Sequence, residues 1–229
     1  TSMLKWWFTT FLLLAMLGIV ITQYNGPRRL ISDVLRSDSI SLALSRVQQF
    51  LIPENDAGCL DELAELDAEY KLQSNFTENK RCIVEHAVRL THTNGMSLSN
   101  SPIMTCRMAV ELTKFTANSL QPTAIQKFGS AVATMSNIGT YNCRSMRQYS
   151  AIVSQHGFAN AIDVTGFTLA DGTNINVAND WNSGSAKAEF LKEIAYDACE
   201  AFRVSVSPDG DANHWNHLHW DMGPYWSCR

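Results

Sequence analysis

The pair His217 and His219, separated only by Leu218, limits the fold more than any other stretch of the chain. Residues two apart point to nearly opposite sides of an α-helix but to the same face of a strand. The two imidazoles act together only if this segment is a strand. A second motif lies upstream, where His156 is followed by Asp163 across Gly157-Phe158-Ala159-Asn160-Ala161-Ile162. Neighbouring ligands on one helix face stand three or four residues apart, which neither motif offers. The upstream motif fits a loop that places His156 and then enters a strand through Ala161-Ile162-Asp163-Val164. If the two strands adjoin, His156, Asp163 and His219 converge on one point, with His217 beside it.

Two imidazoles and one carboxylate are the ligand set of a catalytic zinc site, in which one coordination position stays open to water. Calcium and magnesium favour oxygen ligands, so the set points to Zn2+. An isolated histidine is more often structural than a ligand. Here four candidates fall in two short motifs of a chain that has 6 His.

Cysteines at positions 59, 82, 106, 143, 199 and 228 include no C-x-x-C pair, which argues against zinc-finger and thioredoxin-like spacings. An even, dispersed set behind an apolar N-terminal stretch reads as three disulfides in an oxidising compartment. Buried thiols in a reducing compartment are the alternative. The formal net charge is -4 and no Lys/Arg cluster appears, so nucleic acid is not an expected partner.

The run from Trp6 to Thr22 carries no charge. It reaches the short end of the range for a spanning helix, about 17–25 residues, and exceeds a secretory core of about 7–15. No small-x-small cleavage site follows it. Residues 4–23 therefore read as an uncleaved transmembrane signal anchor. Lys5 on one flank against Arg28 and Arg29 on the other favours a cytoplasmic domain by the positive-inside count, whereas the cysteines favour an exported one. We follow the cysteines. Residues 24–52 read as an amphipathic linker helix, with Val34, Leu35, Leu42, Leu44, Val47 and Leu51 at helical spacing. Its apolar face packs on the domain, on the membrane surface or on a partner.

Pro53-Glu54-Asn55-Asp56 opens a domain over 53–229. Within it we expect helices over 59–72, 103–115, 123–135 and 185–202, and strands near 81–90, 203–206 and 217–221. A hairpin is expected between Phe167 and Val177 around Asp171-Gly172. The expected architecture is α+β: helices first, then a small antiparallel sheet carrying the zinc site, flanked by helices and preceded by the transmembrane helix.

Several stretches in order resemble one bacterial family, the extensin-like C-terminal family, over roughly residues 58–229. They are Tyr141-Asn142-Cys143-Arg144, Ser154-x-His156 through Ala159 and Ala161 to Asp163, Asp171-Gly172 and Phe190-Leu191. Ala198-Cys199-x-x-Phe202, His214-x-x-His217-x-His219-x-Asp221 and the terminal Cys228-Arg229 complete the likeness. Plant extensins are Pro-rich, whereas this chain has 6 Pro. In motif the family is similar to the metallopeptidase superfamily of lysostaphin, D-Ala-D-Ala carboxypeptidases and hedgehog domains. The resemblance implies His156, Asp163 and His219 as zinc ligands and His217 as general base. It also implies that Arg144 holds a substrate carboxylate or the developing oxyanion, and that cysteines pair with sequence neighbours as Cys59–Cys82, Cys106–Cys143 and Cys199–Cys228. The chain departs from the pattern at Gln155, usually Glu, and at Trp215-Asn216, usually a small residue and Asp.

Other residues have two readings each. Arg144 also suits a surface ion pair. His214 and Asp221 either orient a ligand imidazole or serve as loop polarity and a turn carboxylate. Trp181, Trp215, Trp220 and Tyr225 either line a substrate groove or pack in the core.

The expected function is a zinc peptidase anchored in the bacterial inner membrane. Its periplasmic domain would hydrolyse amide bonds of peptidoglycan peptides, as an endopeptidase or a carboxypeptidase. A non-catalytic peptidoglycan-binding or scaffolding subunit of a cell-envelope protein complex is the alternative. The full ligand-and-base set favours the enzyme.

Overall fold

The computed structural model describes residues 38–50, 57–147 and 149–229. The expected anchor at 4–23 and the boundary at 53–56 lie outside them. No helix among the described residues is long and apolar enough to cross a membrane. Leu42–Arg229 forms one compact unit.

Helix α1 (Asp38–Phe50) covers part of the expected amphipathic stretch. Helix α2 (Ala57–Ala64) follows, but the expected helix over 59–72 stops there. From Ala68 the period changes from the helical spacing of Leu60, Leu63 and Leu66 to the alternation of a strand. That strand is β1 (Ala68–Gln73), paired with β4 (Ala87–Thr93). Strands β2 (Phe76–Glu78) and β3 (Cys82–Val84) form a separate two-stranded sheet. Strand β5 (Met96–Leu98) comes next.

The expected helix over 103–115 divides in the same way. Ile103–Thr105 is strand β6 on β4. Thr105 then caps α3 (Cys106–Phe115), its hydroxyl accepting from the Met108 N–H at 3.3 Å. A wide helical turn (Thr116–Leu120) leads into α4 (Gln121–Phe128). Gly129 stops α4 in the left-handed region at φ 67, satisfying the Ile125 carbonyl at 2.8 Å. The remainder of the expected helix over 123–135 is strand β7 (Val132–Asn137).

Strand β8 (Ala161–Leu169) turns at Asp171-Gly172 into β9 (Asn174–Asn176), as the hairpin signal predicts. Short α5 (Val177–Asp180), long α6 (Ala186–Ala201), β10 (Val204–Val206), β11 (Leu218–Asp221) and β12 (Ser227–Cys228) complete the chain. The main sheet runs β1-β4-β5-β7-β8-β11-β10-β12, with β6 on β4 and β9 on β8. β5–β7 and β10–β12 pair in parallel, so the sheet is mixed, mostly antiparallel and larger than expected. Strands and helices interleave from the start; the order of helices first and sheet second is wrong.

The core lies between the sheet and helices α3, α4 and α6. Trp220 of β11 stacks on Phe202 at 5.2 Å, and Phe115 of α3 meets both rings edge-on. Phe190 of α6 bridges Phe128 of α4 and Phe167 of β8. Each such pair contributes about 0.5–1.5 kcal/mol beyond the area it buries.

The disulfides are Cys59–Cys106, Cys82–Cys143 and Cys199–Cys228. Only the last follows the expected pairing. Cys106 opens α3 against α2, which carries Cys59, with Cα atoms 6.1 Å apart. Cys82 is then left for Cys143, at 5.6 Å.

Candidate metal centre

Strands β8 and β11 are antiparallel neighbours with Asp163 directly opposite His219. Ile162, Val164, Leu218 and Trp220 between them are fully buried in the core. Strand alternation therefore turns Asp163 and His219 together onto the other face of the sheet. His156 arrives from a single 3-10 turn (Gln155–Phe158). Ser154 caps that turn, and Ala159 closes it in the left-handed region at φ 52. The Asn142 N–H donates to the His156 carbonyl at 3.0 Å, tying the turn to the Tyr141–Arg144 stretch.

The three expected ligands meet. His156 Nε2 lies 3.2 Å from Asp163 Oδ1 and 3.2 Å from His219 Nδ1, and His219 Nδ1 lies 2.9 Å from Asp163 Oδ1. This is the group of side chains among the described residues placed to hold a metal ion. The outward nitrogens fix the tautomers. A carbonyl only accepts, so His156 Nδ1–H donates to the Thr140 carbonyl at 3.2 Å. His219 Nε2–H donates to Asp221 Oδ2 at 3.0 Å. When the imidazoles are neutral, both inward nitrogens present lone pairs, the arrangement that orients metal-binding imidazoles.

Electrostatics follow from this crowding of side chains. Burial opposes ionisation of Asp163, but hydrogen bonds from His156 and His219 outweigh it and hold its carboxyl well below the usual range. Burial also opposes a charge on His219, yet Asp163 and Asp221 raise its pKa to about 9.

His217 stands beside the cluster, with Nε2 3.6 Å from Asp163 Oδ1. Its Nδ1 lies 2.8 Å from Asn216 Oδ1, which accepts the Nδ1 proton and turns the basic nitrogen inward. Asn216, a departure from the family pattern, thus keeps the acceptor an Asp would offer. Burial lowers the His217 pKa; Asp163 opposes this, and His219, His156 and Arg147 add to it.

Arg144 shares with His156 and Asp163 a cleft of about 80 Å³, also lined by Ile138, Gly139, Tyr141 and Asn142. At ~30 Å³ per water this has room for an ion or two to three waters. Arg144 is exposed, and no ion pair of it is seen among the described residues. Sequence reasoning missed Arg147, which donates to Asn213 across the site and adds positive charge beside His217. It also missed the Thr140 carbonyl, because a backbone acceptor leaves no residue-type signal.

Of the two candidate orienting residues, Asp221 bonds a ligand imidazole and His214 does not. The His214 Nδ1 is buried without a hydrogen-bond partner, Asp211 Oδ2 being 3.6 Å away. Burial, with His219 and His217 close by, lowers its pKa to about 4. Gln155 is buried and accepts from Asn160 Nδ2 at 2.8 Å. Trp220 and Trp181 are buried, whereas Trp215 and Tyr225 are exposed.

Fold and site together define an α+β domain whose sheet carries a His-Asp-His cluster, His156 buried and Asp163 and His219 half-buried, beside a third, inward-facing histidine. The chain belongs to the family described as extensin-like protein C-terminus, whose model matches residues 57–229. No curated protein and no solved structure matches it. The family match begins at α2 and leaves α1 outside.

Proposed function

We propose that the chain is a zinc metallopeptidase that hydrolyses amide bonds of peptidoglycan peptides, held to the bacterial inner membrane by residues 4–23 with its domain in the periplasm. The observation that carries this reading is the donor triangle of His156, Asp163 and His219, each imidazole having its outer N–H already taken. Tetrahedral zinc with bonds of about 2.0–2.1 Å separates its ligand atoms by about 3.3 Å, close to the separations here. A nitrogen-rich set of three suits zinc and not calcium, which takes roughly 6–8 oxygens.

Zinc held there supplies a Lewis acid that polarises a carbonyl and acidifies water. The protein's own groups supply the rest. Burial keeps His217 neutral near pH 7, so its Nε2 takes a proton from water and returns it to the leaving amine. Asn216 holds that imidazole in the tautomer the transfer needs. Arg144 clamps a substrate carboxylate bidentately or stabilises the oxyanion as charge develops.

The test incubates the full chain in detergent with purified peptidoglycan, with and without chelator, beside a His219→Ala variant. Products are identified by mass. Products lost with chelator and with the variant support the peptidase and name the bond. Zinc bound without products from any muropeptide sinks it, and the non-catalytic wall-binding subunit takes its place.

A further inference from the structure

The segment from Arg144 to Ser154 is a hairpin between the Cys82–Cys143 disulfide and His156. Ser145 faces Val153; the Ser154 N–H donates to the Arg144 carbonyl at 2.9 Å and the Met146 N–H to the Ile152 carbonyl at 2.8 Å. In that antiparallel pattern the backbone groups of Val153 point outward, away from its partner strand. Gln48 of α1 meets them. Its Nε2 donates to the Val153 carbonyl at 2.9 Å, and its Oε1 accepts from the Val153 N–H at 3.1 Å. A carboxamide carries donor and acceptor side by side, so one side chain stands in for a neighbouring strand. Gln48 and Val153 are both buried. Arg81 also ties the hairpin, its Nη2 reaching Ser145 Oγ and the Ala151 carbonyl at 3.3 Å each.

We propose that Gln48 is a positioning residue for the metal centre. Through it α1, which lies outside the family domain, holds the hairpin that carries Arg144 and Arg147 against the cleft. The consequence for catalysis rests on the peptidase reading above; the ordering of the hairpin does not.

The experiment compares the full chain in detergent with Gln48→Ala and with Gln48→Met, which keeps the packing and removes both hydrogen bonds. Arg46→Ala, on the exposed side of the same helix, is the control. Hydrogen exchange is followed at the Met146 and Ser154 amides, which bond within the hairpin and not to Gln48. Trypsin cleavage after Arg144 and Arg147 and zinc content are measured alongside. Losing two buried hydrogen bonds raises the open population about tenfold or more, so exchange and cleavage accelerate about that much in both Gln48 variants. The control and the zinc stoichiometry stay unchanged, and with a cleavable peptide the loss appears in KM more than in kcat. Exchange that accelerates only at the Val153 amide, with the trypsin sites as in the parent chain, overturns the proposal. A chain without peptidase activity sinks the catalytic reading alone, since exchange and proteolysis decide this proposal by themselves.

Discussion

Asp221→Asn removes one charge and almost no volume, yet the structure makes it costly. The carboxylate is buried and serves two donors, accepting from His219 Nε2 at 3.0 Å and from the Gly223 N–H at 2.8 Å. An asparagine has one oxygen for these two donors. Gly223 packs close against the Gln155 side chain, which a Cβ there would meet at 2.8 Å. If the oxygen keeps Gly223, the new amino group faces His219 Nε2 and favours the opposite tautomer. That moves the imidazole proton to Nδ1, the atom that faces Asp163 and His156. If the oxygen keeps His219, a buried backbone N–H loses its acceptor, at about 1–3 kcal/mol. Loss of such an orienting carboxylate lowers metal affinity about 10–100-fold, or roughly 1.4–2.7 kcal/mol.

A second effect opposes the first. Asp221 helps raise the His219 pKa to about 9, so near neutrality a proton competes for that imidazole, and the variant weakens this competition. Zinc affinity is therefore compared at about pH 9.5, where that competition is small, by titration against a chromophoric chelator. Near-UV circular dichroism verifies the fold. An affinity within about twofold of the parent, in a folded variant, refutes the claim that Asp221 orients His219.

The metal-free chain should lose stability as pH rises. With its pKa raised from 6.5 to about 9, His219 contributes stability that is fully present below about pH 6.5 and lost as pH rises through about 9. Tm measured in chelator should fall across that window; a flat profile contradicts the assignment. Zinc retention should run the other way, strengthening as the proton leaves. Replacing Cys82 and Cys143 by Ser opens a bridge of sequence separation 61 and should cost about 4 kcal/mol in denaturant unfolding, with no loss counting against it. Peptide mapping without reduction should recover Cys59 linked to Cys106 and not to Cys82. Gly166→Ala should destabilise by about 1–3 kcal/mol in the same assay, because the new Cβ would lie 2.2 Å from the Ile175 carbonyl and must push β9 away.

The centre was more legible in the sequence than the fold around it. A period of two at His217 and His219, and a strand-like entry to Asp163, suffice to bring three side chains together once β8 and β11 adjoin. The helix over 185–202 was legible because one apolar period persists along its whole length. The errors at 59–72, 103–115 and 123–135 share a cause: each window joins a short helix to a strand, and a few apolar residues fit both periods. The Thr105 cap and the Gly129 stop were visible as residue types, but many Thr and Gly residues do neither job. Disulfide partners depend on α2 meeting α3, a long-range contact that local spacing does not encode. The Gln48 contact was equally hidden, its partner being a backbone edge 105 positions away.

Along β8 and β11, core residues alternate with those of the His-Asp-His cluster, and this separates the inheritance of the fold from that of its chemistry. Ile162, Val164, Leu218 and Trp220 hold the sheet together whatever stands at 163 and 219. A lineage that trades a donor for another polar residue keeps its domain, its disulfides and its cleft. Under the proposed function, selection for the reaction alone would preserve the donors, and were it to relax, a folded surface would remain for a descendant to use for holding rather than cutting.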